Sequence, residues 1–220
     1  MKDTNMIFHG YFRSSSSYRC RIAFNLKGLD YQFQPVHLVK DGGQQKTAAY
    51  RALNPQGLVP TLEVGDDILT QSPAILEWLD ETYPEPRLLP TDVMVRARVR
   101  AFTQVIACEI HPLQNLRVLQ YLKDVYQEDQ DGVNRWCQRW IGDGLAACED
   151  LLVKYNNGAP FCFGDTPGMA DIYLMPQVFS AQRFNVDLTK MPNINRIATN
   201  CADVEAFAKA HPKEQPDAEI

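Results

Sequence analysis

Short apolar runs alternate with helical patterns through the first third of the chain. Residues 6–11 (MIFHGY) favour a strand, and residues 15–27 carry apolar side chains at helical spacing until Gly28. A second strand is predicted within residues 30–38, and a loop then leads into a short helix that ends near Asn54.

Two further short strands and a helix complete this part of the chain. Residues 60–64 (PTLEV) and 68–70 (ILT) are predicted strands joined by a turn at residues 65–67, and a helix is predicted from Ser72 to about Tyr83. The order strand, helix, strand, helix, strand, strand, helix is that of a thioredoxin-like sheet with helices on its faces. We therefore predict an α/β thioredoxin-like N-terminal domain.

A proline-rich segment follows. Pro84, Pro86 and Pro90 fall within seven positions, which no helix or central strand tolerates. Beyond it the pattern predicts only helices, over residues 93–121, 133–155 and 169–184, with shorter pieces from 193 to 210. The predicted organisation is a thioredoxin-like domain over 1–83, a linker over 84–91 and an all-α C-terminal domain over 92–220.

Composition and charge exclude several classes of protein. Hydrophobic residues make up 45% and charged residues 22%, as in an average globular domain, and no run approaches the ~20 apolar residues of a membrane span. The N-terminus is too polar for a secretion signal. The net charge is -5 and the basic residues form no long run, which argues against nucleic-acid binding. We expect a cytoplasmic protein with neither a nucleic-acid nor a membrane partner.

The six cysteines and four histidines lie far apart, without a CxxC pair or a zinc-ligand spacing. We therefore expect reduced, mostly buried thiols and no metal site.

The first strand hands over to the first helix at Arg13-Ser14-Ser15-Ser16-Ser17. No thiol lies there, so dithiol redox chemistry is excluded at this position. Unpaired backbone N–H groups and the helix dipole favour an anion at a helix N-terminus, and a serine hydroxyl can stabilise a thiolate that a ligand brings. The structural alternative is that one serine caps the helix and the others are solvated.

Two other junctions carry similar chemistry. A proline at the start of a strand is ordinary, but a cis Val59–Pro60 bond would turn the peptide groups of Val59 outward to pair with a short peptide. Ser72 at the N-cap and Pro73 at N1 form a normal helix start, which is also a seat for a carboxylate. A thiolate site, a peptide-pairing strand and a carboxylate site together describe a receptor for glutathione.

Longer segments then carry a family resemblance. The chain resembles the zeta class of glutathione transferases, and within it the members that isomerise maleylacetoacetate, through the segments YFRSSSSYRCRIAFNLKGLDY, LVKDGGQQ, LNPQGLVPTL, LTQSPAILEWLDETYPEPRLLP, IHPLQNLRVLQYL and GDTPGMADIYLMPQVFSAQRF. The resemblance covers nearly the whole chain. It implies the glutathione transferase fold, a homodimer and glutathione as cofactor.

The resemblance also implies the site residues. Those for glutathione are Ser14, Ser15, Ser16, Gln45, Val59, Gln71 and Ser72, together with His111, Asn115, Leu116 and Arg117 from the helical domain. The catalytic residues it implies are Ser14, Ser16 and Arg13. The dicarboxylate substrate is assigned to Arg13, Arg117 and Arg183, because a guanidinium can bind a carboxylate through two hydrogen bonds.

Three positions depart from the family pattern. Ser16 stands where animal members have a cysteine, His111 stands where they have a glutamine, and Gly168 stands at the usual serine or threonine of a helix-start box. The missing cysteine should not abolish isomerisation, since the family's nucleophile is the thiol of glutathione. The sequence leaves two roles open for His111, that of a general acid or base and that of a packing residue. Trp136 and Trp140 are predicted to belong to the core.

The implied activity is glutathione-dependent cis–trans isomerisation of maleylacetoacetate to fumarylacetoacetate in tyrosine and phenylalanine catabolism. Reversible thiolate addition makes the double bond temporarily single, so that it can rotate. Isomerisation of maleylpyruvate in gentisate degradation and transfer of glutathione to other electrophiles are the alternatives. A non-catalytic binding protein of the same fold is a third, which the thiolate site argues against.

Overall fold

The structure is a computed structural model that describes residues 6–219, and it divides into two units. The first unit takes the chain up to Arg87 together with the residues from Val204 onward, and the second spans Leu88–Asp203. The division after Arg87 falls inside the predicted linker. The residues from Val204 onward belong to the first unit rather than with the helices that precede them, which differs from the predicted range of 92–220. Their backbone supplies acceptors to helix side chains of the first unit, as when Asn25 donates to the carbonyl of Ala206 at 2.9 Å.

Strands occur only in the first unit, apart from an isolated bridge between Phe161 and Gly164 in the described part of the second. The strands are β1 (Met6–Gly10), β2 (Gln32–Pro35), β3 (Thr61–Val64) and β4 (Asp67–Thr70). The α-helices are α1 (Ser15–Lys27), α2 (Ala48–Leu53), α3 (Ser72–Thr82), α4 (Val93–Gln104), α5 (Leu116–Tyr126), α6 (Gln130–Tyr155), α7 (Met169–Arg183), α8 (Pro192–Ala202) and α9 (Glu205–Ala210). Among residues 6–219, no helix is long and apolar enough to cross a membrane.

The four strands form one mixed sheet in the order β2-β1-β3-β4. β1 pairs in parallel with β2 and antiparallel with β3, and β3 pairs antiparallel with β4. Phe8 of β1 is fully buried opposite Leu62 of β3, and its ring meets the ring of Phe24 of α1 edge-on at 5.4 Å between centroids. These contacts place the core of the first unit between the sheet and α1, as the apolar spacing predicts.

Helix α1 begins and ends as its sequence predicts. Ser14 has an extended backbone and its hydroxyl oxygen accepts a hydrogen bond from the N–H of Ser17, so it is the N-cap. Gly28 adopts the left-handed conformation (φ 61°, ψ 35°), in which its N–H bonds to carbonyls of the last turn.

The predicted helix over residues 93–121 is wrong in its middle. The chain instead follows α4, a π-helical turn over Val105–Ile110, a 3₁₀ turn over His111–Gln114 and then α5. Pro112 has no N–H to continue an α-helical ladder, and Asn115 has an extended backbone (φ -65°, ψ 141°) and caps α5. Apolar spacing continues across this break, so periodicity alone did not reveal it.

The glycine at the start of α7 has a steric reason. The N–H of Gly168 donates to the carboxylate of Asp171 at 2.9 Å, which is half of the usual helix-start box. A Cβ at Gly168 would lie 2.9 Å from the carbonyl oxygen of Leu88, which itself accepts the N–H of Met169. The serine or threonine of the family pattern would therefore require this backbone to shift.

Candidate functional site

The strand pairing brings the predicted site residues of the first unit to one edge of the sheet. Gly10 at the end of β1 lies opposite Pro35 at the end of β2, while Thr61 at the start of β3 lies opposite Thr70 at the end of β4. Because His9 of β1 pairs with Thr61, all four of these strand ends share an edge, which we call the loop edge. The serines of residues 14–17, which we call the serine row, the loop after β2, Val59 and Gln71 all follow or precede these ends.

The serine row forms the N-terminus of α1. The Oγ of Ser14 lies 3.2 Å from the N–H of Ser17, from which it accepts a hydrogen bond, so the hydroxyl proton of Ser14 remains available to a ligand. Ser15 is half-buried and Ser16 and Ser17 are buried. The alternative in which the other serines are solvated is therefore wrong for Ser16 and Ser17. Arg13 is exposed, with its guanidinium 5.8 Å from the centroid of the Phe12 ring.

The Val59–Pro60 peptide bond is cis, which the sequence left open. Among residues 6–219, neither the N–H nor the C=O of Val59 has a hydrogen-bond partner. The preceding loop is tied down, because the carbonyl of Leu58 accepts from the Tyr50 hydroxyl and from the Asn54 amide, both at 2.8 Å. A fixed peptide with an open donor and acceptor is suited to pairing with an extended peptide.

Gln45 is buried beside this loop. Its Nε2 donates to the carbonyl of Leu38 at 3.2 Å, whereas its buried Oε1 has no hydrogen-bond partner in the described chain. Gly57, with φ +60°, approaches so closely that a Cβ there would lie 2.9 Å from the carbonyl oxygen of Gln45. An unsatisfied buried acceptor is costly and suggests a ligand donor.

The N-cap of helix α3 lies one residue earlier than predicted. Helix α3 begins at Ser72, so Gln71 rather than Ser72 occupies the capping position. Gln71 has φ 69° and ψ 116°, a conformation that costs a non-glycine residue of order 1–3 kcal/mol and that clusters at functional sites. Its amide donates to Gln56, and its carbonyl accepts from Ile75 at 3.0 Å.

Ser72 is buried and receives a hydrogen bond from a buried cation. The Nη1 of Arg19, on α1, donates to the Ser72 hydroxyl oxygen at 3.3 Å. A positive charge therefore lies next to the N-terminus of α3, within a protein of net charge -5. Sequence reasoning missed Arg19. The one available signal was its place in a helix whose apolar residues face several directions.

The chain's own thiols do not compete for the role of nucleophile at this edge. The cysteine nearest in sequence, Cys20, is fully buried, and this burial raises the pKa of its thiol to about 12. A neutral buried thiol is unreactive near pH 7. Among the described cysteines only Cys108, in the second unit, is exposed.

In the second unit, four of the predicted site residues lie on one short stretch. His111 begins the 3₁₀ turn, Asn115 caps α5 by accepting the N–H of Arg117 at 3.2 Å, and Leu116 is the first residue of α5. Trp136 of α6 fixes this stretch through a 2.8 Å hydrogen bond to the carbonyl of Leu113.

Arg183 lies at the end of α7, where its guanidinium is 4.9 Å from the centroid of the Phe184 ring. Burial raises the pKa of the Cys137 thiol of α6 to about 11, although the positive charge of Arg183 acts in the opposite direction and lowers it. Trp136 is half-buried and Trp140 is 37% exposed, so the prediction that both belong to the core is wrong for Trp140, which faces outward on α6.

Comparison with known proteins gives concordant matches. A family model described as "Glutathione S-transferase, N-terminal domain" matches residues 8–87. A Pseudomonas aeruginosa protein named maleylacetoacetate isomerase is 49% identical over 213 residues, which cover 96% of this chain and 98% of the relative.

Two solved structures are similar over the full length. One, titled as the holo structure of maleyl pyruvate isomerase, a bacterial glutathione S-transferase of the zeta class, has a TM-score of 0.94 and 46% identity, and covers 97% of this chain and 100% of that chain. The other is maleylacetoacetate isomerase from Anaeromyxobacter dehalogenans 2CP-1 with bound GSH in its active site. It has a TM-score of 0.88 and 40% identity, and covers 100% of both chains.

Proposed function

Because the chain belongs to the zeta class of glutathione S-transferases, we propose that it is a glutathione-dependent isomerase that converts maleylacetoacetate to fumarylacetoacetate in tyrosine and phenylalanine catabolism. The observation that carries the proposal is at Ser14. Its hydroxyl oxygen already accepts a hydrogen bond from Ser17, so its proton can be donated to a thiolate at the N-terminus of α1.

The residues of the loop edge fit glutathione. Val59 offers an open N–H and C=O to the peptide backbone of the ligand, and the buried Oε1 of Gln45 offers an acceptor. Gln71 and Ser72, at the N-terminus of α3 with Arg19 behind Ser72, would hold the γ-glutamyl carboxylate.

When bound, glutathione supplies a thiolate that can add reversibly to a double bond conjugated with carbonyls. Ser14 lowers the pKa of that thiol by donating to its ionised form, and the N-terminus of α1 adds a favourable partial charge. Ser15 and Ser16 complete the same helix start. This preorganised site needs no redox cofactor.

The substrate is a dianion, so cations must act locally against the negative charge of the whole protein. We propose Arg13, Arg117 and Arg183 as the residues that bind its carboxylates. The zeta-class resemblance also proposes His111, Asn115, Leu116 and Arg117 as ligand-binding residues. We also propose that the protein acts as a cytoplasmic homodimer. Sedimentation at twice the 25.0 kDa chain mass tests the dimer, and a monomer contradicts it.

The decisive experiment follows both the substrate and the thiol. Loss of maleylacetoacetate absorbance should require glutathione, while the free thiol concentration stays constant. Stoichiometric loss of thiol would indicate conjugation and would overturn the isomerase proposal in favour of a transferase. No activity with any electrophile, despite glutathione binding, would indicate a binding protein.

Maleylpyruvate is the second candidate substrate. The solved zeta-class maleyl pyruvate isomerase, with its TM-score of 0.94, favours it. Gly42-Gly43-Gln44-Gln45 and Asn115-Leu116 are closer to the pattern of the maleylacetoacetate members and favour the first candidate. Comparing kcat/KM for the two substrates in one preparation decides between them, and a higher value for maleylpyruvate reverses the assignment.

A further inference from the structure

The end of the chain contacts the loop that carries the serine row. Asp217 lies in the segment of residues 211–219, which we call the C-terminal segment and which belongs to the first unit. Its Oδ2 accepts a hydrogen bond from the backbone N–H of Phe12 at 2.9 Å. Phe12 is buried and directly precedes Arg13 and Ser14.

Arg21 holds the same peptide from the other side. This fully buried residue of α1 donates from Nη2 to the carbonyl of Phe12 at 2.8 Å and from Nη1 to the carbonyl of Tyr11 at 3.3 Å. Its Nε donates at 3.0 Å to the carbonyl of Ala210, the last residue of α9, which directly precedes the C-terminal segment. Burial lowers the pKa of Arg21 to about 10, which leaves the guanidinium charged at neutral pH.

These contacts continue to Ser14 through one carbonyl group. The carbonyl of Tyr11 accepts both Nη1 of Arg21 and the N–H of Ser14, the latter at 3.0 Å. The hydrogen bond between Ser14 and Ser17 fixes Ser14 with respect to α1. The contacts of Phe12 fix the direction from which the chain enters the helix.

We propose that Asp217 and Arg21 are positioning residues, which hold the turn from Tyr11 to Ser14 so that the Ser14 hydroxyl points at the thiol of the ligand. The inference rests on the proposed function, in which Ser14 stabilises a thiolate. Displacing a catalytic group by about 1 Å can cost on the order of a hundredfold in rate, so an anchor of this kind has a measurable consequence.

A second contact of the C-terminal segment is weaker. Glu219 pairs with Lys40 at 2.7 Å and with His37 at 3.1 Å, next to the loop that carries Gln45. The carboxylate of Glu219 is half exposed, and pairs in that setting contribute little. The proposal therefore depends on Asp217 and Arg21.

Asp217→Ala is the direct test, because it removes the acceptor at the surface end of the contact without a change in α1. Asp217→Asn keeps an oxygen that can accept from Phe12. Glu205→Gln is the matched control: it removes one negative charge from α9, where Glu205 is exposed and pairs with Lys209. Each variant is measured as the full chain by hydrogen–deuterium exchange, by the thiolate absorbance of bound glutathione against pH, and by steady-state kinetics.

We expect Asp217→Ala to speed amide exchange over residues 11–17, to raise the pKa of the bound thiol and to lower kcat/KM about tenfold or more. Asp217→Asn should recover most of each loss, and Glu205→Gln should match the wild type. The positioning role is overturned if Asp217→Ala leaves both loop exchange and thiol pKa at the values of Glu205→Gln, even if it melts earlier.

The exchange measurement separates this proposal from the proposed function. A wild-type protein that shows no isomerase activity, with loop exchange still dependent on Asp217, overturns the function and retains the anchor. If Asp217→Ala keeps normal isomerase activity and unchanged loop exchange, the anchor is overturned and the proposed function is retained.

Discussion

The guanidinium of Arg19 donates a hydrogen bond to the hydroxyl oxygen of Ser72 at 3.3 Å, and both side chains are buried. Two helices of the first unit are thereby joined beside the N-terminus of α3. Ser72 can still donate its own proton, so it connects a buried cation to whatever anion binds there.

Ser72→Ala should weaken glutathione binding about tenfold, because it removes the donor that we propose for the γ-glutamyl carboxylate and breaks the link from that site to Arg19. Titration calorimetry measures the effect. Ser72→Thr keeps the hydroxyl and serves as control. Equal affinity for Ser72→Ala and the wild type would place the carboxylate elsewhere.

Ser14→Ala should lower turnover on the order of a hundredfold or more. It should lower the free energy of unfolding by only about 1 kcal/mol, which is the usual loss of an N-cap. Ser14→Gly distinguishes the two effects, because glycine caps nearly as well as serine but has no hydroxyl. Both variants should be equally inactive while Ser14→Gly is the more stable, as steady-state kinetics and urea unfolding would show. An active Ser14→Gly would remove the hydroxyl from its assigned role.

Arg183→Ala should raise the KM for a dicarboxylate substrate by about tenfold or more, since a charge-assisted pair is lost. Glutathione affinity should not change. The matched control is Arg139→Ala, which removes a cation of α6 that is exposed and pairs with Asp143 at 2.7 Å. If both variants shift KM equally, the effect arises from net charge rather than from a carboxylate site.

Stability should fall at alkaline pH because several thiols are buried. Burial raises the pKa of Cys20 and of Cys148 from an ordinary value of 9.0 to about 12. Above pH 9 the unfolded chain loses these protons while the folded chain keeps them. The free energy of unfolding should therefore fall with rising pH, by about 1.4 kcal/mol per pH unit for each thiol.

Urea unfolding between about pH 9.5 and 11 measures this slope, and Cys148→Ala should reduce it by the contribution of one proton. An unchanged slope in that variant would show that the Cys148 thiol does not control stability in this range.

Iodoacetamide near neutral pH should modify Cys108, the exposed thiol among those described, because a buried thiol is inert. Turnover should stay within about twofold, because the proposed nucleophile is the thiol of glutathione and not a cysteine of the protein. Mass spectrometry of the labelled protein locates the adduct, and Cys108→Ser should take up no label. Inactivation that accompanies labelling of Cys20 would show instead that a protein thiol takes part in the reaction.

Most elements of the first unit could be predicted because their signals are local. Period-two and helical spacing, Gly28 at a helix end and the Gly65 turn each lie within a few residues of the element that they define. The break after α4 was missed because its apolar spacing continues through the π-helical turn, although Pro112 and the N-cap residue Asn115 are local signs of it.

The site could be predicted where it coincides with a junction of elements. Ser14, Val59 and Gln71 each adjoin the end of a strand, and the sheet order brings those ends to one edge. Arg19, Arg21 and Asp217 were missed. A buried arginine looks like a surface cation in sequence, and Asp217 is separated from Phe12 by 205 positions. Only the folded chain shows such pairs.

The edge of the sheet opposite the loop edge carries two turns. There β1 begins, β3 is joined to β4 through Gly65, and α1 is joined to β2 through Gly28. At roughly 3.3 Å per residue, the five residues of β1 separate these turns from the serine row by about 16 Å. The two turns are therefore natural places to insert a tag, a fluorophore or a short loop. Such an insertion would lengthen the chain far from the proposed glutathione site and leave the spacing between Ser14, Val59 and Gln71 as the sheet sets it.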